Sequence, residues 1–360
     1  MAEGSSKFSM VQLKDDLVTV ATDVQELAGA FCPRIKSPSP LEFLRDYVHP
    51  NRPCVITDAM ESWPAMRKWD DDYLCEKFGE RKISINVTPN GRGDAVKDGF
   101  FVMPEERSMT LRDFVSAMEA SRSDEGKINS SKEGTNQGSN GKKGAEANEV
   151  DETTPGDVFY LSHQNDNLRT QLESLLIGDV PESIAFVDEA LGLKPEAVNL
   201  WMGDERALTT CHKDCFENLY GVVRGVKYFT LFPPTSSPLL YPRPYYPRVY
   251  SSRTGKWTVE KVGEDCVSPE DTPSPPDHEP HPTRPWISVD PTAPDLDRFP
   301  LYAHARPVRV AVSTGELLYL PAMWYHQVGQ GRGTVAVNYW YDMVFDARYV
   351  TQSMVERLSR

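Results

Sequence analysis

Apolar residues first recur at helical spacing at Leu13, Leu17, Val20, Val24 and Leu27, which predicts an amphipathic helix with its stripe packed on the body of the protein. Ser39-Pro40-Leu41-Glu42 then offers a capping serine, a proline at the first helical position and a glutamate three residues after the cap. That signature starts a short helix reaching about Tyr47. Pro53 to Thr57 predicts a strand, Asp70 to Phe78 a helix stopped by Gly79, and the alternating Lys82 to Val87 a second strand. Thr110 to Ala120 predicts another helix.

In the second half the period drops to two. Ala197 to Trp201, Leu219 to Val223, Val226 to Phe232, Val308 to Val312, Glu316 to Leu320 and Thr334 to Tyr341 read as short strands. Turns are expected at Arg224-Gly225, Thr314-Gly315 and Gln330-Gly331-Arg332-Gly333. Many short strands joined by turns predict a sandwich or barrel. If Arg224-Gly225 is a two-residue hairpin turn, Val222 pairs with Lys227, and Asn218, Tyr220, Val222, Lys227 and Phe229 share one face. After Met343, Tyr349, Val350, Met354 and Leu358 predict a short closing helix.

Two stretches break the pattern. Residues 121–157 hold no aromatic residue, and Ile128 and Val150 are their large aliphatics, too little apolar surface to offset ordering entropy. Residues 264–285 are rich in proline and acid; His278 and His281 there lie among prolines that exclude a metal-binding helix face, so they read as incidental loop histidines. The expected organisation is a helix over 1–38, one domain over 39–343 with insertions at 121–157 and 264–285, and a helix over 344–360.

The 360 residues suffice for a sizeable core, and 39% apolar content is ordinary for a folded protein. A net charge of −14 repels phosphate backbones, so nucleic acid is not expected as a partner, whereas a basic protein surface would suit. No apolar run has signal-peptide or bilayer-spanning length, so no membrane is expected. Six scattered cysteines without CxxC spacing fit a reduced, intracellular protein.

The chemistry concentrates in Thr209-Thr210-Cys211-His212-Lys213-Asp214. Residues two apart on a strand share a face, so His212 and Asp214 project together while Cys211 and Lys213 turn away. The best third ligand is His326, in Leu320-Pro321-Ala322-Met323-Trp324-Tyr325-His326. Two histidines and a carboxylate on one side of a metal leave positions open, the arrangement of non-haem iron oxygenases. An HxD alone is far more often a pair of ordinary strand residues, and the third ligand raises it above that level; Lys227 alone would read as a solvated lysine on an outer face, and beside the metal motif as inward. An inward lysine would bind the distal carboxylate of a dicarboxylic cosubstrate.

At this point the residues resemble the JmjC oxygenases. The HxD, the Leu-Pro-x-x-Trp-x-His, threonine three before the first histidine, asparagine four after the aspartate and lysine thirteen after it all match. Asn51-Arg52-Pro53-Cys54-Val55-Ile56, Ser62-Trp63-Pro64-Ala65 and Trp69 are similar to the opening segment of the small JmjC hydroxylases. The resemblance implies a mainly β fold with flanking helices around a double-stranded β-helix (cupin, jelly-roll) core. It implies iron(II) at His212, Asp214 and His326, oxygen as oxidant, and 2-oxoglutarate contacted by Thr209, Lys227 and Tyr160, with Asn218 supporting and Asn338 added. Strict alternation puts Thr210, not Thr209, on the metal face, so that assignment needs a bulge before His212.

The same resemblance implies hydroxylation at C3 of a lysine in a protein substrate, with succinate and carbon dioxide as coproducts. Developmentally regulated GTP-binding proteins are the implied partner class. Asp204, Glu205 and Asp342 are acids near the expected entrance that fit a lysine ammonium and fit solvated or capping roles equally well. Rival readings are an N-methyl-lysine or arginine demethylase, a metal-dependent peptidase on histone tails, and a catalytically silent cupin scaffold. A cytoplasmic location is expected, the nucleus staying open, and the terminal helices suit either a homodimer or packing within one chain.

Overall fold

The computed structural model describes residues 10–120, 156–173, 178–262 and 283–359. The period-two runs all become strands. The first half supplies β1 (Arg34–Ile35), β2 (Cys54–Ile56), β3 (Lys82–Thr88), β4 (Arg92–Gly93), β5 (Ala95–Lys97), β6 (Phe100–Met103), β7 (Glu105–Thr110) and β8 (Val158–Leu161). The second half supplies β9 (Ala197–Gly203), β10 (Leu208–His212), β11 (Phe216–Arg224), β12 (Val226–Phe232), β13 (Pro242–Ser251), β14 (Thr258–Lys261) and β15 (Arg284–Ile287). It ends with β16 (Val308–Ser313), β17 (Leu317–Leu320), β18 (Tyr325–Gln330) and β19 (Val335–Asp342).

Successive core strands enter opposite sheets. A nine-stranded sheet runs β1-β2-β17-β11-β19-β9-β8-β3-β7, and a five-stranded sheet runs β16-β12-β18-β10-β4. The chain therefore crosses between sheets from β9 to β12 and again from β16 to β19, which is the jelly-roll core expected from the sequence. The inward faces pack together through Trp201, Tyr220, Phe229, Val310, Leu318 and Val328. On β16 the burial alternates strictly, so this edge strand shows one face to the interior and one to water.

The predicted β11–β12 hairpin does not form. Both edges of β11 are taken, by β17 and by β19, so β12 crosses to the other sheet and pairs with β16 and β18. Gly225 makes the corner at φ 82°, where a Cβ would sit 2.5 Å from Thr334 Oγ1. The predicted face survives this change, because two facing sheets bring inward side chains together as a hairpin would. Tyr220 and Phe229 meet edge-on at 5.2 Å, and Lys227 Nζ lies 5.8 Å from the Tyr220 ring.

The helices cover the larger sheet and the ends of the barrel. They include α1 (Met10–Ala28), α2 (Asp71–Phe78), α3 (residues 111–120), α4 (Ala185–Leu191) and α5 (Ala347–Leu358). Ser39 forms the expected capping box with Glu42. On α1 the buried row is Leu17, Ala21 and Gln25, whereas Val20 and Leu27 face water, so the packed stripe follows i, i+4 spacing. On α5 only Val355 is buried, with Val350, Met354 and Leu358 exposed. The strand β15 begins inside the second low-apolar stretch, while His278 and His281 lie outside the described residues. Among the described residues no helix is long and apolar enough to cross a membrane.

Candidate metal and cosubstrate site

His212 ends β10 and His326 lies directly opposite on β18, with ring centroids 4.3 Å apart. Asp214, in the turn after β10, brings Oδ2 to 3.7 Å from His212 Nε2 and 3.6 Å from His326 Nε2. Ligand atoms of all three lie within 4.8 Å of one another. His212 Nδ1 is 2.8 Å from the Thr210 carbonyl oxygen, and His326 Nδ1 is 3.0 Å from that of Trp324. A carbonyl oxygen only accepts, so each Nδ1 carries the proton and each Nε2 keeps its lone pair for a metal. Burial, with His212 adding to it, pushes His326 down to about 4, which keeps the imidazole neutral. Two neutral imidazoles and one carboxylate on one side fit a divalent transition metal with positions left open.

The loop before His326 is anchored on three sides. Met323, at φ 68°, donates its N–H to the Asp214 carbonyl oxygen at 2.8 Å. The buried Glu217 carboxylate accepts from the Tyr319 hydroxyl at 2.6 Å and from the Ala322 N–H at 3.1 Å. Trp324 Nε1 donates to Asn51 Oδ1 at 2.7 Å. Two sequence signatures far apart in the chain thus meet and hold the third ligand in place.

A bulge settles which threonine faces inward. Thr209 pairs with Val328 and His212 with His326, so the register shifts between them by one residue. Thr209 then lines the cavity together with His212, Asp214, His326, Asn218 and Asn338. Thr210 turns outward, where its hydroxyl bonds to the Asp94 carbonyl oxygen and accepts from Trp286 Nε1.

Behind the same cavity Lys227 is only 1% exposed. Its Nζ donates to the Tyr160 hydroxyl at 2.8 Å and to Gln330 Oε1, and lies 5.0 Å from the Tyr160 ring centre. Both partners are neutral, so the ammonium is buried without a counter-charge, and burial lowers it to about 7. An ammonium has three donors, and an anion entering beside Tyr160 would supply the missing charge. Asn338 Oδ1 accepts from Trp201 Nε1 at 2.9 Å, and its Nδ2 donates to Asn218 Oδ1 at 3.2 Å, fixing both amides in the wall.

The cupin-like domain family matches residues 40–347. The Homo sapiens bifunctional peptidase and (3S)-lysyl hydroxylase JMJD7 is 36% identical over 325 residues, 90% of this chain and 88% of that protein. The Arabidopsis thaliana lysine-specific demethylase JMJ32 is 35% identical over 353 residues, 93% and 89% of the two chains. The Dictyostelium discoideum JmjC domain-containing protein E is 32% identical over 340 residues, covering 88% and 85%. The chain belongs to the JmjC family of cupin-like 2-oxoglutarate oxygenases.

Sequence reasoning missed two residues around this JmjC site. Gln330 receives Lys227 on its oxygen while its Nε2 donates to the Asp204 carbonyl oxygen at 2.7 Å, which fixes the amide's orientation. Its signal was present: His326, Val328 and Gln330 are two apart on one strand. Trp286, stacked on His212 at 5.7 Å, carried no such signal, because β15 follows a low-apolar stretch. The acids expected to meet a substrate ammonium are placed otherwise. Asp204 is fully buried and paired with Arg206 at 2.5 Å, Asp342 is exposed at the end of β19, and neither these nor Glu205 line the cavity. Cys211 packs against Phe232 and Leu240, and burial raises its thiol, so it is no nucleophile.

The Tyr160 ring packs closely over Gly203: a Cβ there would lie 2.5 Å from Tyr160 Cδ2 and 3.0 Å from the Phe159 carbonyl oxygen. Gly203→Ala is expected to cost about 1–3 kcal/mol through overpacking. Moving the Tyr160 ring should also raise the KM for 2-oxoglutarate. Thermal melting and cosubstrate titration check both, and an unchanged KM would show that Tyr160 is not held by this contact.

Proposed function

We propose that this chain hydroxylates C3 of a lysine in a protein substrate, with iron(II) held by His212, Asp214 and His326. In this reading 2-oxoglutarate is held at its far carboxylate by Lys227, Tyr160 and Thr209, with Asn218 and Asn338 fixing the wall. The observation that carries it is a three-ligand site on a cavity whose Tyr160 wall is backed by a buried lysine lacking a counter-charge. Iron(II) with 2-oxoglutarate and oxygen supplies oxidation of a C–H bond, with succinate and carbon dioxide as coproducts. The chain's own residues do the rest. His212, Asp214 and His326 hold metal by lone pairs already oriented, and Lys227 supplies charge against a dicarboxylate. Trp201, Tyr220, Phe229 and Val328 line the cavity and exclude water. No side chain is needed as general base.

Lysine as the target is supported by the lysyl hydroxylase named among the relatives. Developmentally regulated GTP-binding proteins are the first substrates to try. A second reading, removal of an N-methyl group from lysine, is favoured by the relative named a lysine-specific demethylase at 35% identity. Peptidase action, also named for the human relative, has less support, because the sequence carries no HExxH pattern.

The deciding assay incubates the purified chain with iron(II), oxygen, 2-oxoglutarate and lysine peptides from GTP-binding proteins, read by mass spectrometry. One added oxygen on lysine with matching succinate is the expected result. Formaldehyde release from methyl-lysine peptides without added oxygen on the product would move the assignment to demethylation.

A further inference from the structure

The two metal-binding imidazoles are held in different ways. His326 is buried on β18, which has β12 along one edge and β10 along the other. His212 is the last residue of β10. There β4 no longer runs alongside, since it pairs with β10 at Leu208 and Thr209, and among the described residues β18 is the one ladder partner. The register shift also falls just before the ligand, so Thr210 and Cys211 together stand against Gln327 and the ladder is interrupted. Backbone pairing alone therefore holds His212 less firmly than His326.

The missing support comes from β15, a strand that belongs to neither core sheet and pairs with β13, with Arg243 opposite Trp286. Trp286 reaches the ligand by two routes. Its indole lies parallel to the imidazole within 3°, ring centres 5.7 Å apart, an offset stack. Its Nε1 donates at 3.0 Å to the Thr210 hydroxyl, which donates onward to the Asp94 carbonyl oxygen. The Thr210 carbonyl oxygen in turn accepts from His212 Nδ1 at 2.8 Å. One side chain thus touches the imidazole and also fixes the residue that sets its tautomer. Phe101 of β6 packs on the same indole, with ring centres 4.7 Å apart.

We propose that Trp286 is a positioning residue for the metal ligand His212, holding the imidazole so that Nε2 shares an ion with Asp214 and His326. This rests on the metal assignment above. The physical reason is pre-organisation: a ring already fixed in tilt and tautomer loses little freedom when it binds, and partners outside the ligands commonly set affinity in this way. The stack limits tilt, and the bonds through Thr210 hold the carbonyl that keeps the proton on Nδ1.

The test titrates the full chain with cobalt(II) in place of iron(II), 2-oxoglutarate present, and reads the cobalt absorption bands, with melting curves alongside. Trp286→Ala should weaken binding roughly ten-fold or more and shift the bands. Trp286→Phe keeps a ring to stack but has no N–H, so its loss should be smaller. Thr210→Val removes the hydroxyl that Trp286 bonds. Combined with Trp286→Phe it should cost little more affinity than either change alone, because both cut one link. Turnover in these variants should recover as iron(II) is raised, which a folding defect would not show. A merely structural Trp286 would lower the melting temperature and leave affinity and bands at wild-type values, and that result overturns the proposal. Should Trp286→Ala fail to fold, wild-type affinity and bands in both Trp286→Phe and Thr210→Val overturn it instead. If Asp214→Ala binds cobalt as well as wild type does, or wild type binds none, the metal assignment falls and the positioning role with it.

Discussion

Asp214→Ala should bind no stoichiometric iron and form no succinate, while melting within a few degrees of the wild type. The carboxylate is the one anionic donor, with Oδ2 placed between two Nε2 atoms at 3.7 and 3.6 Å. Losing an outer partner of a metal ligand already costs about 10–100-fold in affinity, so losing a ligand should exceed that. The backbone of the turn would stay, because the Asp214 carbonyl oxygen is held by the Met323 N–H at 2.8 Å independently of the side chain. His326→Ala makes an instructive contrast. That ring is buried and bonded to the Trp324 carbonyl oxygen, so its loss should lower the melting temperature as well as activity. Metal content by plasma spectrometry, succinate yield and calorimetry separate the two cases. Retained iron and turnover in Asp214→Ala would place the metal elsewhere.

Much of this site was legible because strand chemistry has a short period. His212 and Asp214, then Asn218 and Tyr220, then Lys227 and Phe229, all follow from counting by two, and the counts survive even where pairing was read wrongly. The β11–β12 hairpin failed because local sequence reports a turn, not which edges of a strand are already occupied by partners a hundred residues later. The bulge before His212 was required by the family resemblance yet invisible locally, since it arises from the register of β10 against β18. His326 itself sits on a strand the pattern did not reveal, because Tyr325 to Gln330 is buried on nearly every residue and shows no alternation.

Lys227→Met should separate function from stability. A buried ammonium whose partners are the neutral Tyr160 and Gln330 contributes nothing to folding that a well-packed apolar chain would not, and removing it should leave stability unchanged or raised. Function should move the other way: losing one partner of a buried charge pair costs about 2–5 kcal/mol, so the KM for 2-oxoglutarate should rise roughly thirty-fold or more. The pH dependence carries a further signature. Burial lowers the Lys227 ammonium from 10.5 to about 7, so between those values the folded chain binds fewer protons than the unfolded one. Stability from this group therefore rises with pH across that window, and the full cost of the buried charge is felt below about 7. Binding a dicarboxylate requires the charged form, so above that pH wild type must take up a proton to bind, and its KM should climb. In Lys227→Met both slopes should flatten. Denaturant titrations and KM measurements across this range test the pair of trends. A KM in Lys227→Met equal to wild type would remove Lys227 from the cosubstrate site, whatever the stability data showed.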